Sequence, residues 1–284
     1  MYPGLLVLTP EFGLSINNYR QKNLGAAMEN AKQYNLTGAL YPWTGARFGN
    51  CTGVGPCYDY EYHINNDVAL AQWQYYLATG NLTWLQTQGY PLISAVADMW
   101  VSNTHKVQSN TSDTYTYQTF NLTDPDEFAN FQNNGAFTNA GIKVIMTAAI
   151  QAAQLLNVTP STAWVDVGDH IDIPVDPESG IILEYDRFNG STPVKQGIPY
   201  SWTLQVDIPA DVILLTYPLE FPQSHALDNL DFYAIHTSPN GPAMTYSNFA
   251  IDVSEISVQG CSSFTYLLAG SAPYVISRVV MTDG

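Results

Sequence analysis

Basic residues are scarce in this chain: 9 Lys and Arg stand against 25 Asp and Glu, for a formal net charge of −16. Such an acidic polypeptide repels phosphate backbones and anionic lipid, which argues against nucleic acid or a charged membrane surface as partner. Cysteine is scarce too, with 3 residues. No His pair at ligand spacing accompanies them, so neither a metal nor another cofactor is expected. No apolar run reaches the roughly 18–20 residues that span a bilayer, which argues against membrane insertion. A Gly-rich phosphate loop and a dinucleotide fingerprint are both missing. There is no simple repeat at a period of about 20–50 residues. No signal peptide opens the sequence; Met1 is followed at once by Tyr-Pro-Gly-Leu-Leu-Val-Leu, which reads as buried structure.

What is present is apolar and aromatic. Hydrophobic residues make up 46% of the 284 residues, enough for a sizeable core, and there are 19 Tyr and 6 Trp. Flat aromatic faces stack on pyranose rings, although the same side chains also serve simply as core filler. Seven Asn-x-Ser/Thr sequons occur, at Asn35, Asn50, Asn81, Asn110, Asn121, Asn157 and Asn189. Cys51 and Cys57 lie six positions apart in a Gly/Pro-rich loop, where a local disulfide is sterically easy and two free thiols are the alternative. Sequons, acidity and a possible disulfide together point to the secretory route.

Periodicity predicts mostly helix. Residues 11–34 carry one apolar face through Ile16, Tyr19, Leu24, Ala27 and Met28. Residues 63–79 carry a stripe of Ile64, Val68, Ala71, Tyr75 and Ala78 that Gly80 should stop. Thr83 is the expected cap of a short helix ending at Gly89. Residues 91–102 and 136–156 complete the first half. Residues 103–135 are polar and read as a functional loop. After Trp164 the texture changes to short β-like pieces at 171–188, and helix returns at 210–216, 225–236 and 242–257. Helix, long loop and helix in alternation suit a toroid of paired helices whose loops build a site at one end.

Asp124-Pro125-Asp126-Glu127-Phe128 closes the polar loop just ahead of Asn133-Asn134 and a helix. Crowded carboxyls near a helix start can raise one another's pKa, as a general acid requires. A solvated acidic turn that merely caps the helix is the plainer alternative.

Asp-Pro-Asp-Glu-Phe followed by Asn-Asn-x-Ala-Phe-Thr-Asn resembles the segment around the catalytic acid of glycoside hydrolase family 65. Tyr41-Pro42-Trp43 with Gly45-Ala46-Arg47 is similar to the family's glucose-subsite segment. Glu61-Tyr62-His63-Ile64-Asn65-Asn66-Asp67 and Trp73 through Gly80 resemble a further block. The likeness covers nearly the whole chain, with its blocks in order. It implies an all-α fold, an incomplete (α/α)6 toroid of the six-hairpin glycosidase type with long loops and short β pieces. It implies Glu127 as general acid, Trp43 as a sugar-stacking residue, and His63, Asn65 and Asp67 as residues that shape the substrate site. Lys195 and Gln196 match a family Lys-Gln-Ala-Asp-Val block that contacts glucose. Here residues 197–209 separate that pair from Ala210-Asp211-Val212, as an insertion or a retained intron would.

Within the family, phosphorylases hold phosphate with a Ser-rich segment. The matching Ser238-Pro239-Asn240-Gly241-Pro242-Ala243 offers few side-chain donors, which favours hydrolysis. Thr216-Tyr217-Pro218, and Ser254-Glu255 through Gly260-Cys261-Ser262, look more like the fungal acid trehalases. The expected function is therefore inverting hydrolysis of trehalose, in a secreted protein of the cell wall, periplasmic space or vacuole. Another family 65 α-glucosidase, a disaccharide phosphorylase and a non-catalytic sugar-binding domain are the alternatives. Residues 1–284 are expected to form part of the catalytic domain. The family's N-terminal β-sandwich, its Trp-Asp-Thr-Glu motif and its general base should lie outside them, which would leave the chain weakly active or inactive.

Overall fold

The computed structural model describes residues 2–53, 61–109, 112–126, 129–189, 211–237, 244–258 and 260–271. Among them helix dominates. Helix α1 (Tyr2–Leu8), α2 (Pro10–Lys22) and α3 (Leu24–Gln33) run to a loop that ends at α4 (Ile64–Thr79). The short α5 (Leu82–Trp84) passes through a π turn (Leu85–Gly89) into α6 (Tyr90–Asn103). Strands β1 (His105–Gln108) and β2 (Tyr115–Gln118) form a hairpin. Next come α7 (Ala136–Leu155), α8 (Thr162–His170), a 3₁₀ turn (Asp211–Leu215), α9 (Ala226–His236), α10 (Met244–Ile256) and α11 (Cys261–Ser271).

The core lies where α4, α6 and α7 meet. Val68 and Ala69 of α4, Ile93, Val96 and Trp100 of α6, and Ile142, Ile145 and Met146 of α7 are all buried. Small residues on α7 (Ala140, Ala148, Ala149, Ala152) let its neighbours approach closely. Within this apolar layer Asn66 ties three helices together: its Oδ1 accepts the Trp100 indole N–H at 2.6 Å and its amide donates to the Thr138 carbonyl at 3.0 Å. A Cβ on Gly141 would lie 2.6 Å from that amide, so glycine is what admits Asn66.

Local chemistry sets several boundaries that periodicity misses. Residues 11–34 are two helices, not one, and they meet at Asn23. Gly80, at φ 62°, ends α4 in the left-handed conformation as expected of a glycine stop. Asn81, not Thr83, caps α5 by accepting the Trp84 N–H at 2.9 Å, and the helix runs on past Gly89 through the π turn. Ser161 starts α8 by accepting the Ala163 N–H at 3.3 Å. Residues 2–8 are helical, but only Leu6 is buried; Val7 and Leu8 are 83% and 81% exposed, against the expectation of buried structure.

The polar stretch 103–135 is partly ordered by the hairpin. Alternating Thr and Tyr at 114–117 favour extended backbone. Tyr115 and Tyr117, two apart, share one face and donate to the two Asp166 oxygens at 2.6 and 2.8 Å. The β-like pieces at 171–188 reduce to isolated bridges, Tyr117 with Ile171 and Val175 with Ile182. No helix among the described residues is long and apolar enough to cross a membrane.

Candidate active site

His63 precedes α4 and is buried. Its Nδ1 lies 2.9 Å from Asp67 Oδ2 and its Nε2 2.8 Å from Glu61 Oε2. An ionised carboxylate only accepts, so both ring nitrogens must donate, and the ring is an imidazolium. Burial opposes that charge, but the hydrogen bonds His63 donates to Asp67 and Glu61 outweigh it and push His63 up to about 10. The edge of Phe137 closes the pocket, with ring centroids 5.5 Å apart. Asp67 keeps a 38% exposed side chain and faces open space.

The imidazolium is the supporting charge under Asp67, and its removal has a definite pH signature. The folded pKa is above the ordinary His value of about 6.5, so the stabilisation is complete below about pH 6.5 and fades as pH rises through about 10. His63→Leu leaves Glu61 and Asp67 as unpaired carboxylates and should lower stability by about 3–5 kcal/mol near pH 6. Denaturant melts across pH should show the penalty shrinking towards pH 10. A pH-independent penalty would mean that packing, not charge, was lost.

Asp124 is the buried cap of α7. Its Oδ2 accepts the Phe137 N–H at 3.1 Å, its Oδ1 accepts the Thr138 N–H at 3.2 Å, and the Thr138 hydroxyl donates to the same oxygen. Two orphan N–H groups at the helix N-terminus and one side-chain hydroxyl are thus satisfied by one carboxylate. A Cβ on Gly135 would sit 2.4 Å from Asp124 Oδ2, so glycine is needed there for the acid to approach. Burial pushes Asp124 up to about 6, while Thr138 and His63 hold it down. The Asn133-Asn134 pair steadies the segment's flank. Asn133 Oδ1 accepts the Asn121 N–H at 3.1 Å and Asn134 Oδ1 accepts that of Thr119 at 3.0 Å.

Further carboxyls gather behind this cap. Asp126, Glu184 and Asp211 are all buried. The Asp126 N–H donates to Asp211 Oδ2 at 2.8 Å. Glu184 is held in place by its own backbone, whose carbonyl accepts the Ala136 N–H at 2.8 Å. Burial and the neighbouring acids raise both Glu184 and Asp211 well above the usual carboxylate range. In front of the group opens a cavity of about 380 Å³ lined by Tyr2, Asp67, Pro125, Phe137, Leu214 and Tyr217, among others. Its wall runs along α4 from Asp67 to Gln74 and includes Phe137 in the first turn of α7, where the helix dipole favours negative charge.

The expected site residues fall into three groups. Asp67 lines the cavity, and His63 and Asn65 support it from behind. Asn65 is fully buried with its amide committed: Oδ1 accepts the Tyr41 N–H at 2.7 Å and Nδ2 donates to the Tyr62 carbonyl at 3.0 Å. It therefore acts by holding Tyr41 at the head of the 41–45 segment and, fully buried, presents no group to a sugar. Trp43 is half-buried in that segment and does not line this cavity. Glu127, Lys195, Gln196, Cys57 and Asn110 lie outside the described residues, as do residues 197–209. Cys51 is disulfide-bonded and Cys261 is free and exposed. Asn35, Asn50, Asn81, Asn121, Asn157 and Asn189 are all exposed. Residue-level reading offers a helix-capping acidic turn but expects it solvated, whereas the cap, Asp124, is buried. The same reading missed Glu184, whose setting between Ile181, Ile182, Leu183 and Tyr185 is the one available hint of burial.

The helical architecture is shared with a larger chain. A candidate kojibiose phosphorylase from the human microbiome matches with a TM-score of 0.72 at 18% identity, over 95% of this chain and 39% of that one. This likeness shows the fold, which agrees with part of an (α/α)6 toroid. Residues 1–197 match the glycosyl hydrolase family 65 central catalytic domain, and the chain belongs to that family. It is 40% identical to a periplasmic/secreted acid trehalase of Candida glabrata over 98% of this chain and 22% of the relative. A cell wall acid trehalase of Arthroderma benhamiae is 35% identical over 97% of this chain and 26% of its own length. A kojibiose hydrolase of Mucilaginibacter mallensis is 38% identical over 88% and 35%. The chain thus spans about a quarter of the length of the two acid trehalases.

Proposed function

We propose that this chain is the acid-bearing part of the catalytic domain of an inverting α-glucosidase acting on α,α-trehalose, with Glu127 as general acid. The observation that carries this reading is the setting of the acid segment. Asp124 and Asp126, just before Glu127, are buried at the N-terminus of α7, and Pro125 between them lines the cavity. A carboxyl beside buried acids holds its proton into less acidic solution, as a proton donor must. Glu127 would protonate the glycosidic oxygen while a second carboxylate activates water on the opposite face of the sugar, about 6.5–9.5 Å away. That base would come from outside the described residues. The two trehalase relatives supply the substrate class; Asp67, which lines the cavity, is a proposed sugar contact, and Trp43, Lys195 and Gln196 are proposed from the family resemblance alone.

Apolar side chains stand exposed near both ends of the chain, Phe12 with Val7 and Leu8 at one and Phe264 with Leu267 and Leu268 at the other. We take these as faces that further helices of a complete toroid would cover. Exposed sequons and the names of the relatives support secretion to the cell wall or periplasmic space.

Incubation with α,α-trehalose in mild acid, with and without inorganic phosphate, tests the activity in a catalytic domain that carries this chain together with the base; the 284-residue chain alone should turn over weakly or not at all. Glucose should form at a rate that phosphate does not change. Glucose 1-phosphate would indicate phosphorolysis instead, and binding without turnover would indicate a sugar-binding module.

A further inference from the structure

We infer that Asp211 is a positioning residue of the acid segment, holding the Asp126 backbone from within a buried group of carboxyls that share protons. Asp211 opens the 3₁₀ turn, 85 residues beyond Asp126, and its Oδ2 accepts the Asp126 N–H at 2.8 Å. This bond fixes the Pro125–Asp126 peptide, whose Pro125 lines the cavity. Leu214 of the same turn lines the cavity, so the turn both walls the site and anchors the segment.

The proton sharing follows from crowding and burial. Asp211, Asp124 and Glu184 are 3%, 7% and 2% exposed. Asp211 faces Asp124, Asp126 and His63; Glu184 faces Asp211, Asp126, Asp124, Tyr185 and Tyr233. Neither Glu184 oxygen has a side-chain partner. Among the described residues His63 is the cation facing the group, and Glu61 and Asp67 already share it. Buried like charges repel through a low effective dielectric, which disfavours ionising the whole group at once. A protonated Asp211 still accepts the Asp126 N–H at one oxygen while the other carries the proton.

Burial and the neighbouring acids raise Asp211 and Glu184 well above the usual carboxylate range. The folded pKa therefore exceeds the unfolded one. The stability these groups contribute is complete below the ordinary value and is lost as pH rises through the folded value. The consequence for catalysis, that the group keeps the neighbouring acid protonated, rests on the reading of Glu127 as general acid. The inference about Asp211 itself does not.

Thermal unfolding of the 284-residue chain between about pH 5 and pH 8 tests the sharing. Tm should fall by about 5–10 °C towards pH 8 in the parent. Asp211→Asn and Glu184→Gln, which remove a titrating group, should each flatten that slope. A parent Tm that holds or rises towards pH 8 would overturn the proposal. Hydrogen exchange over the peptide containing Asp126 tests the positioning. The amide should stay protected in D211N, whose side-chain carbonyl still accepts, and lose at least tenfold protection in D211L. Equal protection in the two would refute the anchor. Should D211L fail to fold, loss of protection in D211N would refute it too. None of these readouts requires turnover, so a failure of Glu127 as general acid would leave them unchanged.

Discussion

In a catalytic domain that carries this chain together with the base, Glu127→Gln should lower trehalose turnover by about 10²–10⁴-fold while leaving trehalose affinity within a few-fold of the parent. The amide keeps the size of the acid and loses the proton that the leaving oxygen needs. Steady-state glucose release together with calorimetric binding reads both quantities. The alkaline limb of the pH profile should also disappear, since that limb reports the acid's loss of its proton. An equal loss of binding and turnover would instead make Glu127 a residue of the segment's structure. The setting of Asp124 and Asp126 makes the catalytic outcome the expected one: both neighbours are buried, and one of them caps a helix whose first turn faces the cavity.

Asp124→Ala should destabilise the chain by about 2–4 kcal/mol, because three donors at the start of α7 lose one common acceptor and become buried orphans. Thermal melts should show this as a drop of about 5–10 °C. Asp124→Asn keeps an acceptor and should cost less than half as much. The sign of its pH dependence is also fixed. Burial raises Asp124 to about 6 in the folded chain, above the ordinary Asp value, so the stability it contributes is complete in acid and is lost as pH rises through about 6. The advantage of the parent over D124N should therefore be larger in acid than above about pH 7. A D124A variant as stable as the parent would mean that water replaces the cap, which its burial rules out.

The parts of this architecture legible in the sequence are those decided by a buried stripe. Residues 64–79, 90–103 and 136–155 show apolar periodicity because α4, α6 and α7 form the centre of the core. Boundaries set by one side chain were not legible in this way. The break at Asn23 and the caps at Asn81 and Ser161 depend on hydrogen bonds for which nearby polar residues compete. Helix α11 escaped because its apolar residues, Phe264, Leu267 and Leu268, face outwards and mark no inner stripe. The acid segment was legible as a motif but not as a structure. Local charge suggested a solvated turn, whereas Asp124 is sealed under α7 and Asp126 is anchored by Asp211, far off in sequence. Burial of a carboxylate is a tertiary fact, and the only local hint of it was Glu184 among Ile and Leu. Asn65 shows the reverse case: the motif marked it for the site, and the fold spends its amide on Tyr41 and Tyr62.

The most direct measurement compares two substrates in the Glu127→Gln variant. Trehalose needs a proton on its leaving oxygen, whereas α-D-glucosyl fluoride carries a leaving group that departs without one. With Glu127 as general acid, the variant should lose trehalose hydrolysis by about 10²–10⁴-fold and retain fluoride hydrolysis within about tenfold of the parent. Equal losses on both substrates, or no loss on trehalose, would contradict the assignment.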